Sequence, residues 1–320
     1  MHRRPLLALP ALLPLAREAL AQESWPQRPV RIVVPFPPGG GTDLLARLVA
    51  QRLSELWGQP VVVENRAGAN GILGTDVVAK ARPDGHTLGF VIATHAINPL
   101  LYRNLPYDTD RDLMPVSLLA EYPFLLTLAQ SFPANTLAEF IEVARRRPGE
   151  LSYASSGNGS GPHLTTEMFA QAAGVQMLHV PYRGAGPANN DLLAGQVDLM
   201  FNNLLAAASL IRGSRLKVLA VSTPARSPAL PEAPALSEVL PGVSATGWYS
   251  LVAPAGMPAP IVERVHSAAV QVMQDAELRQ RLALDGAIPV ASTPERFAAF
   301  IQEERQRWRR VIETAGIRLE

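Results

Sequence analysis

Val30-Arg31-Ile32-Val33-Val34-Pro35-Phe36-Pro37-Pro38-Gly39-Gly40-Gly41-Thr42-Asp43 reads as a strand, a turn and a helix start in immediate succession. The β-branched run stopped by Pro35 has the character of a buried strand. From Asp43 onward, Leu44, Leu45, Leu48, Val49, Leu53 and Leu56 recur at helical spacing, and Gly58 ends the segment. The same unit repeats outward. Val61-Val62-Val63 is the next strand, a helix follows Gly71, and Pro83-Asp84-Gly85 turns the chain into a strand over residues 87–92. A second set begins near Leu125. It holds a helix with Thr136 and Glu139 as a capping box, a strand over 151–154, a helix over 163–173 and a strand over 177–180. A helix around 191–194 and strands over 198–201 and 217–222 follow. Such alternation predicts an α/β fold on a parallel sheet. The Pro-rich stretch 224–241 reads as an ordered surface crossing. The last helix takes Thr293 as its cap and Pro294 as its first residue, with Phe297, Phe300, Ile301, Trp308, Val311 and Ile312 on its apolar face.

Composition narrows the function classes. The chain has 320 residues, 48% of them hydrophobic, which is enough for a large core and more than one domain. Charged residues make up 18% and the net charge is only +1, which argues against a nucleic-acid sleeve or a polybasic membrane binder. Cysteine is absent, which removes disulfides, iron–sulfur clusters and thiol nucleophiles together. Arg3 and Arg4, an apolar run over 6–16 and Ala19-Leu20-Ala21 have the order of an export signal. Residues 1–21 are therefore expected to be removed and the mature chain to begin near Gln22, by the Sec route or a twin-arginine one. No later run is long and apolar enough to span a bilayer, so a periplasmic protein is expected.

The informative glycines lie between strand ends and helix starts. The first turn is residues 35–43, the second 66–71, the third 155–163 and the fourth 182–187. Glycine lets backbone amides approach a ligand, and the first amides of a helix have no internal partner and sit at the positive end of its dipole. Such turns are anion sites that need no charged side chain, and in open α/β sheets ligands bind beyond the carboxyl ends of strands. Phosphate motifs are not met. Asp43 follows Thr42 where a P-loop needs its ending, and Pro162 stands where the dinucleotide fingerprint wants a glycine. Asp43 has two readings: a first-turn acid favoured by the dipole, or an acid at the cleft mouth that orders water or meets a ligand amine.

Enzyme constellations fit poorly. Ser156, Ser160 and His163 invite a hydrolase reading, but Gly-x-Ser-x-Gly is absent. His163 reads as a helix-start residue touching a turn carbonyl, and His95, after a strand, lines the cleft or packs in the core. The six histidines form no metal pair, so no metal and no cofactor are expected. Trp25, Trp57, Trp248 and Trp308 read as packing residues.

The same segments resemble the Bug family, the substrate-binding proteins of tripartite tricarboxylate transporters. The resemblance is carried by Trp25-Pro26, Pro29 to Phe36, Pro38-Gly39-Gly40 with Asp43 and Ala46-Arg47, and Val63-Glu64-Asn65-Arg66-Ala67-Gly68-Ala69. It continues through Pro83-Asp84-Gly85-His86-Thr87-Leu88, Thr94-His95-Ala96-Ile97-Asn98-Pro99, Leu105-Pro106-Tyr107-Asp108 and Val180-Pro181-Tyr182-Arg183-Gly184. Leu193 to Asp198 and Ala253-Pro254-Ala255-Gly256 complete it, in family order across nearly the whole mature chain. The resemblance implies a type II periplasmic binding protein fold, a Venus flytrap of two lobes joined by two crossover segments. Lobe one would hold residues 22–119 and 223–320 and lobe two 120–222, with crossings near 116–126 and 218–222. It implies a small carboxylate-bearing ligand held largely by main-chain amides and waters. Phe36, Pro38, Gly39, Gly40, Asp43, Ala69, Thr94 and His95 would contribute from lobe one. Ser156, Gly157, His163, Tyr182, Arg183, Gly184 and Asn202 would contribute from lobe two. Trp25, Pro38, His86 and the pair Asn202-Asn203 depart from common family residues, and the last two bear on ligand choice. The expected function is capture of a carboxylate by a monomer and delivery to the transporter's membrane subunits. A sensing adaptor for a membrane receptor and a periplasmic hydrolase are the alternatives.

Overall fold

The computed structural model describes residues 25–319, so the expected export signal lies outside the described residues. Two lobes share one strand. In the first, β1 (Val30–Val34) pairs in parallel with β2 (Val61–Asn65) and β3 (Thr87–Val91). Between them run α1 (Gly41–Trp57), a short 3-10 turn (Ala69–Gly71) and α2 (Ile72–Ala79), and α3 (Thr94–Leu101) follows β3. Then comes β4 (Leu113–Ala129), seventeen residues long and buried along nearly all its length.

The second lobe is built from α4 (Leu137–Arg146), β5 (Ser152–Ser155), α5 (Gly161–Ala173), β6 (Leu178–Pro181), α6 (Ala185–Leu193), β7 (Leu199–Asn203), α7 (Leu204–Arg212) and β8 (Leu216–Val221). The chain then returns through the short α8 (Leu236–Val239) to β9 (Thr246–Pro254), α9 (Ala259–Val272), α10 (Ala276–Leu284), β10 (Ile288–Pro289) and α11 (Pro294–Ala315). Thr293 caps α11 and accepts from Arg296 N–H at 3.2 Å, as its sequence predicts. Thr136 caps α4, but Glu139 reaches back to Asn135 N–H (2.7 Å) rather than to the cap residue. The Pro-rich return is ordered, with Val221 bridged to Ala235. Among the described residues, no helix is long and apolar enough to cross a membrane.

The sheet is mixed, which corrects the expectation of a parallel one. β1, β2 and β3 are parallel, as are β5, β6 and β7, but β9 runs antiparallel to β3 and β4, and β4 antiparallel to β7 and β8. The reason lies in the connectivity. β4 carries the chain out of one lobe and β9 is laid down after its return, so the strands at the junction oppose their neighbours. β4 pairs with β9 as far as Pro123↔Thr246 and with β7 from Phe124↔Asn203. Pro123, which has no N–H to give a ladder, stands at this exchange of partners.

Aromatic packing carries the core across the junction. Tyr122 lies 4.6 Å from Tyr249 and 5.6 Å from Phe124 between ring centroids. Gly247 faces Tyr122 in register, and a Cβ there would come within 2.2 Å of that ring. Trp248 and Trp308, both fully buried, donate from their indole nitrogens to Glu304 at 3.2 and 3.0 Å, which satisfies a carboxylate that burial would otherwise penalise. Ser222 ties both crossings together. Its hydroxyl accepts from Phe124 N–H (2.9 Å) and donates to Ala245 O (2.6 Å), while its backbone bonds Phe124 O and Ala245 N–H at 2.8 Å each. Ser222→Ala leaves a buried N–H and a buried carbonyl short of a partner. It is expected to cost about 1–3 kcal/mol in urea unfolding, with an unchanged m-value.

Candidate functional site

Strand register brings the turns together. Val34 pairs with Asn65 and Ile32 with Leu88, so the first turn, the second turn and Thr94 leave the same edge of lobe one. A Cβ on Gly71 would touch Phe36 (3.3 Å), Pro35 (3.3 Å) and Thr94 Oγ1 (3.6 Å). In lobe two, Ser155 pairs with Pro181, and a Cβ on Gly157 would lie 3.5 Å from Tyr182 O, so the third and fourth turns are also neighbours. The two groups meet at Gly159, whose carbonyl accepts from Asn70 Nδ2 at 3.4 Å. A Cβ at Gly159 would come within 2.4 Å of Leu101 in the opposite lobe.

The first turn is held by Asp43. It is 2% exposed, and its carboxylate accepts from Gly39 N–H (2.9 Å), Arg47 Nε (3.0 Å) and Asn65 Nδ2 (2.9 Å). Burial works to raise its pKa, but these donors outweigh burial and hold it below the ordinary value. Both oxygens are engaged by the protein, so the structure favours the reading in which Asp43 shapes the turn. Asn65, which also donates to Phe36 O at 3.1 Å, is a partner that no spacing rule in the sequence pointed to. Pro38, Gly39 and Gly40 are exposed at the turn's tip, and Gly39 needs its glycine for a φ of +84°.

The second turn has four successive positive φ values, Gly68 (140°), Ala69 (46°), Asn70 (54°) and Gly71 (88°). Left-handed Ala and Asn each cost about 1–2 kcal/mol. Reciprocal amide bonds with buried Asn98 support the geometry: Asn98 Nδ2 to Asn70 O (3.1 Å) and Asn70 Nδ2 to Asn98 Oδ1 (3.0 Å). The flanking glycines marked this turn in the sequence, but nothing marked the Asn70–Asn98 pair.

The helix starts differ in their caps: α5, at the third turn, is capped by Ser160, whereas α1 and α6, at the first and fourth, are not. α1, α3 and α6 have no side-chain cap, with Gly40, Ala93 and Gly184 in the cap position. α4, α7, α10 and α11 are capped by Thr136, Asn203, Asp275 and Thr293. The first amides of α1 and α6 have no side-chain partner and suit an anion, whereas in α3 the N–H groups of His95 and Ala96 already bond Ile92 O (2.8 Å) and Ala93 O (3.0 Å). Ser156 is half-buried and Arg183 exposed, neither with a hydrogen-bond or ionic partner among the described residues. Tyr182 Oη is already committed to Asp191 (2.7 Å), and burial first, then Asp191, raises its pKa to about 12.

The third turn stands on a stack of rings. His163 and His179 lie 3.9 Å apart and nearly parallel, with Tyr153 4.8 Å beyond His179. His163 Nδ1 accepts from Gly159 N–H at 3.0 Å, so it meets a turn amide rather than the expected carbonyl. Its proton therefore resides on Nε2. Ser160 caps α5, accepting from His163 N–H at 3.4 Å. The serine that meets a histidine is Ser155, 2.6 Å from His179 Nε2, and it is fully buried where no substrate reaches it.

Two expected site residues, Asn202 and His95, are buried. Asn202 has no exposed surface and donates to Thr127 Oγ1 (2.9 Å) and Asn189 Oδ1 (2.8 Å) inside lobe two. His95, 5% exposed, is under the electrostatic influence of Arg305 and Asp110.

Comparison with known proteins agrees with this fold. The family model described as the tripartite tricarboxylate transporter family receptor matches residues 45–317. BugT of Bordetella pertussis is 37% identical over 303 residues, covering 94% of this chain and 93% of BugT. The structure of R. palustris Rpa4515 with adipate superposes with a TM-score of 0.86 at 39% identity, over 92% of this chain and 99% of that one. MatC from Rhodopseudomonas palustris with bound malate gives a TM-score of 0.81 at 36% identity, over 90% of this chain and all of that one.

Burial lowers the pKa of His163 to about 3, helped by its neighbour His179, and that of His179 to about 4. Both folded values lie below the ordinary 6.5, so the unfolded chain takes up protons first as pH falls. The stability they contribute is complete above pH 6.5 and is lost as pH falls toward about 4. His95, lowered to about 3, adds to the same slope. The melting temperature is expected to drop across this window, and less so in His163→Gln, as read by pH-stepped thermal denaturation.

Proposed function

The chain belongs to the receptor family of tripartite tricarboxylate transporters, and from that premise we propose that it closes its lobes on a small dicarboxylate and presents it to the transporter's membrane subunits. It is a periplasmic solute-binding protein, not an enzyme. The observation that carries the ligand class is the pair of helix starts without a side-chain cap at glycine turns, α1 on one side and α6 on the other. Donors arranged on both sides suit a molecule with an acid at each end, as in the relatives that hold adipate and malate.

The moving units are lobe one, residues 22–119 and 223–320, and lobe two, 120–222. Strand pairing supports this division and moves its first boundary a few residues on, to the exchange at Pro123–Phe124. Residues 1–21 serve as the export signal. In the closed state, Gly39, Gly40, Ala69 and Thr94 face Ser156, Gly157, Arg183 and Gly184. Amide and hydroxyl donors then act on the carboxylates with water excluded, where such bonds are strongest. Closure follows because the ligand has more partners in the closed form than in the open one.

Refolded protein freed of bound ligand provides the test, in a thermal shift against adipate, malate and 1,6-hexanediol. A ligand at a hundred times its Kd stabilises by about 2.7 kcal/mol, a rise on the order of 5 °C. Adipate or malate is expected to give such a rise, and the neutral diol none. Gly40→Ala keeps an ordinary backbone (φ −77°), and its methyl meets nothing nearer than Pro37 O at 4.0 Å. It should therefore fold normally yet weaken binding about tenfold by occupying ligand space. Absence of a shift with every carboxylate would reject the ligand class.

A further inference from the structure

Asn-Gly occurs twice in the chain, at Asn70-Gly71 in the second turn and at Asn158-Gly159 in the third. This dipeptide can close on itself. With no Cβ on the following residue, the glycine nitrogen approaches the asparagine side-chain carbonyl freely, and a cyclic imide forms. The reaction needs an asparagine amide free to turn toward its own main chain, and solvent to supply base and water. Asparagine is thermolabile for this reason.

The two copies differ in both respects. Asn70 is half-buried and its amide is committed. Its Nδ2 donates to Asn98 Oδ1 (3.0 Å) and to Gly159 O (3.4 Å), and its backbone carbonyl accepts from Asn98 Nδ2 (3.1 Å). Asn158 is exposed, and its side chain has no hydrogen-bond partner among the described residues. The glycine N–H is held in both copies, Gly71 by Gly68 O (3.0 Å) and Gly159 by His163 Nδ1 (3.0 Å), so the asparagine amide makes the difference. Both neighbours of Asn158 are glycines at positive φ, Gly157 at 133° and Gly159 at 72°. No side chain therefore stands on either side of the ring that would form.

We propose that Asn158 is a site of spontaneous covalent modification, where the side-chain amide is lost and the third turn gains a carboxylate. Hydroxide takes the proton from Gly159 N, which bonds to Asn158 Cγ. The Cγ–Nδ2 bond breaks, and Nδ2 leaves as ammonia with a proton from water. Water then opens the imide, so the net change consumes one water and releases one ammonia. Opening at Cγ gives aspartate. Opening at the main-chain carbonyl gives isoaspartate, whose backbone runs through Cγ and is longer by a methylene. The imide nitrogen carries no hydrogen, so the Gly159 donation to His163 is lost while the ring stands. The carbonyl of Gly159 is the group that Asn70 reaches from the second turn, so the altered backbone lies where the two groups of turns meet. On the function proposed above, a carboxylate beside Gly157 opposes the charge of the ligand.

The test is incubation of the mature chain without ligand in mildly alkaline buffer, followed by proteolysis and mass spectrometry. Conversion of amide to acid is expected at Asn158, faster as pH rises. At Asn70 it should be at least about tenfold slower, because reaction there waits on local opening. In urea the two sites should react alike, since both amides are then free. Asn158→Asp reproduces one product at an exposed position and is expected to bind malate about tenfold more weakly. An amide retained at Asn158 while the urea-unfolded chain converts would overturn the site, and so would equal conversion at Asn70 and Asn158 in the folded chain. Malate affinity unchanged in Asn158→Asp would overturn its consequence for the cleft. The mass readout needs no ligand, so it stands or falls apart from the ligand class assigned above.

Discussion

Both connections between the lobes converge on the side chain of Ser222. β4 passes from one sheet to the other at Phe124, and the returning chain re-enters the first lobe at Ala245, each bonded to Ser222. A buried crossing must satisfy its backbone polar groups while its strand changes partners, and a short hydroxyl side chain does this without widening the gap between the chains. Pro123, Gly247 and the rings of Tyr122 and Phe124 follow from the same constraint. Proline removes a donor where no ladder continues, and glycine makes room for the ring that fills the junction. The lobes can rotate about this junction only if these few bonds persist, which keeps the register of each sheet independent of closure.

The cleft is built from main chain rather than from charged side chains. Asp43 and Asn65 brace the first turn, Asn98 braces the second, and the stacked histidines brace the third through Gly159. Asp43, Asn98 and His163 are buried, and Asn65 and His179 half-buried. Gly159 is also where Asn70 reaches across between the lobes, so the residue that fixes the third turn is one at which closure is felt. A second contact lies outside the cleft. Gln171 in α5 donates to Val311 O in α11 at 3.0 Å, and Leu164 of lobe two packs in one apolar cluster with Val311 and Ile312 of lobe one.

The sequence made the α/β alternation, the turns and the last helix readable because each is a local matter of periodicity, glycine and capping. The expected strand over 87–92 and helix over 163–173 differ from the observed elements by only one or two residues at an end. It did not reveal the antiparallel junction, since β4 is a continuous apolar run whose direction relative to β7 and β9 depends on pairings more than seventy residues away. α7 was missed because Leu204 directly follows Asn203, the last residue of β7, which leaves no turn residues to mark the change. At the site, the turns could be read and their braces could not. Asn65, Asn98 and His179 have ordinary local contexts, and only the fold brings them to Asp43, Asn70 and His163. Asn202 shows the converse. The family resemblance suggested the cleft for it, but pairing with Thr127 and Asn189 turns it inward.

The choice of amides over arginine has a physical consequence for a receptor that must release its cargo. A buried ion pair exacts a desolvation cost from both partners, and the opening that separates them strands a charge. A helix start presents partial charge that is already oriented by the fold, and water replaces the ligand there when the lobes part. The ligand's charge is thus stabilised in the closed form at little reorganisation cost, and opening leaves no unpaired cation behind. Arg183, the cationic side chain in the fourth turn, is exposed and therefore weakly coupled to anything bound within. Selectivity in such a cleft rests on the spacing between the uncapped helix starts of the two lobes. On the proposed function, the junction at Ser222 and the contacts of Gly159 would set that spacing, and with it the length of acid that can bridge the lobes.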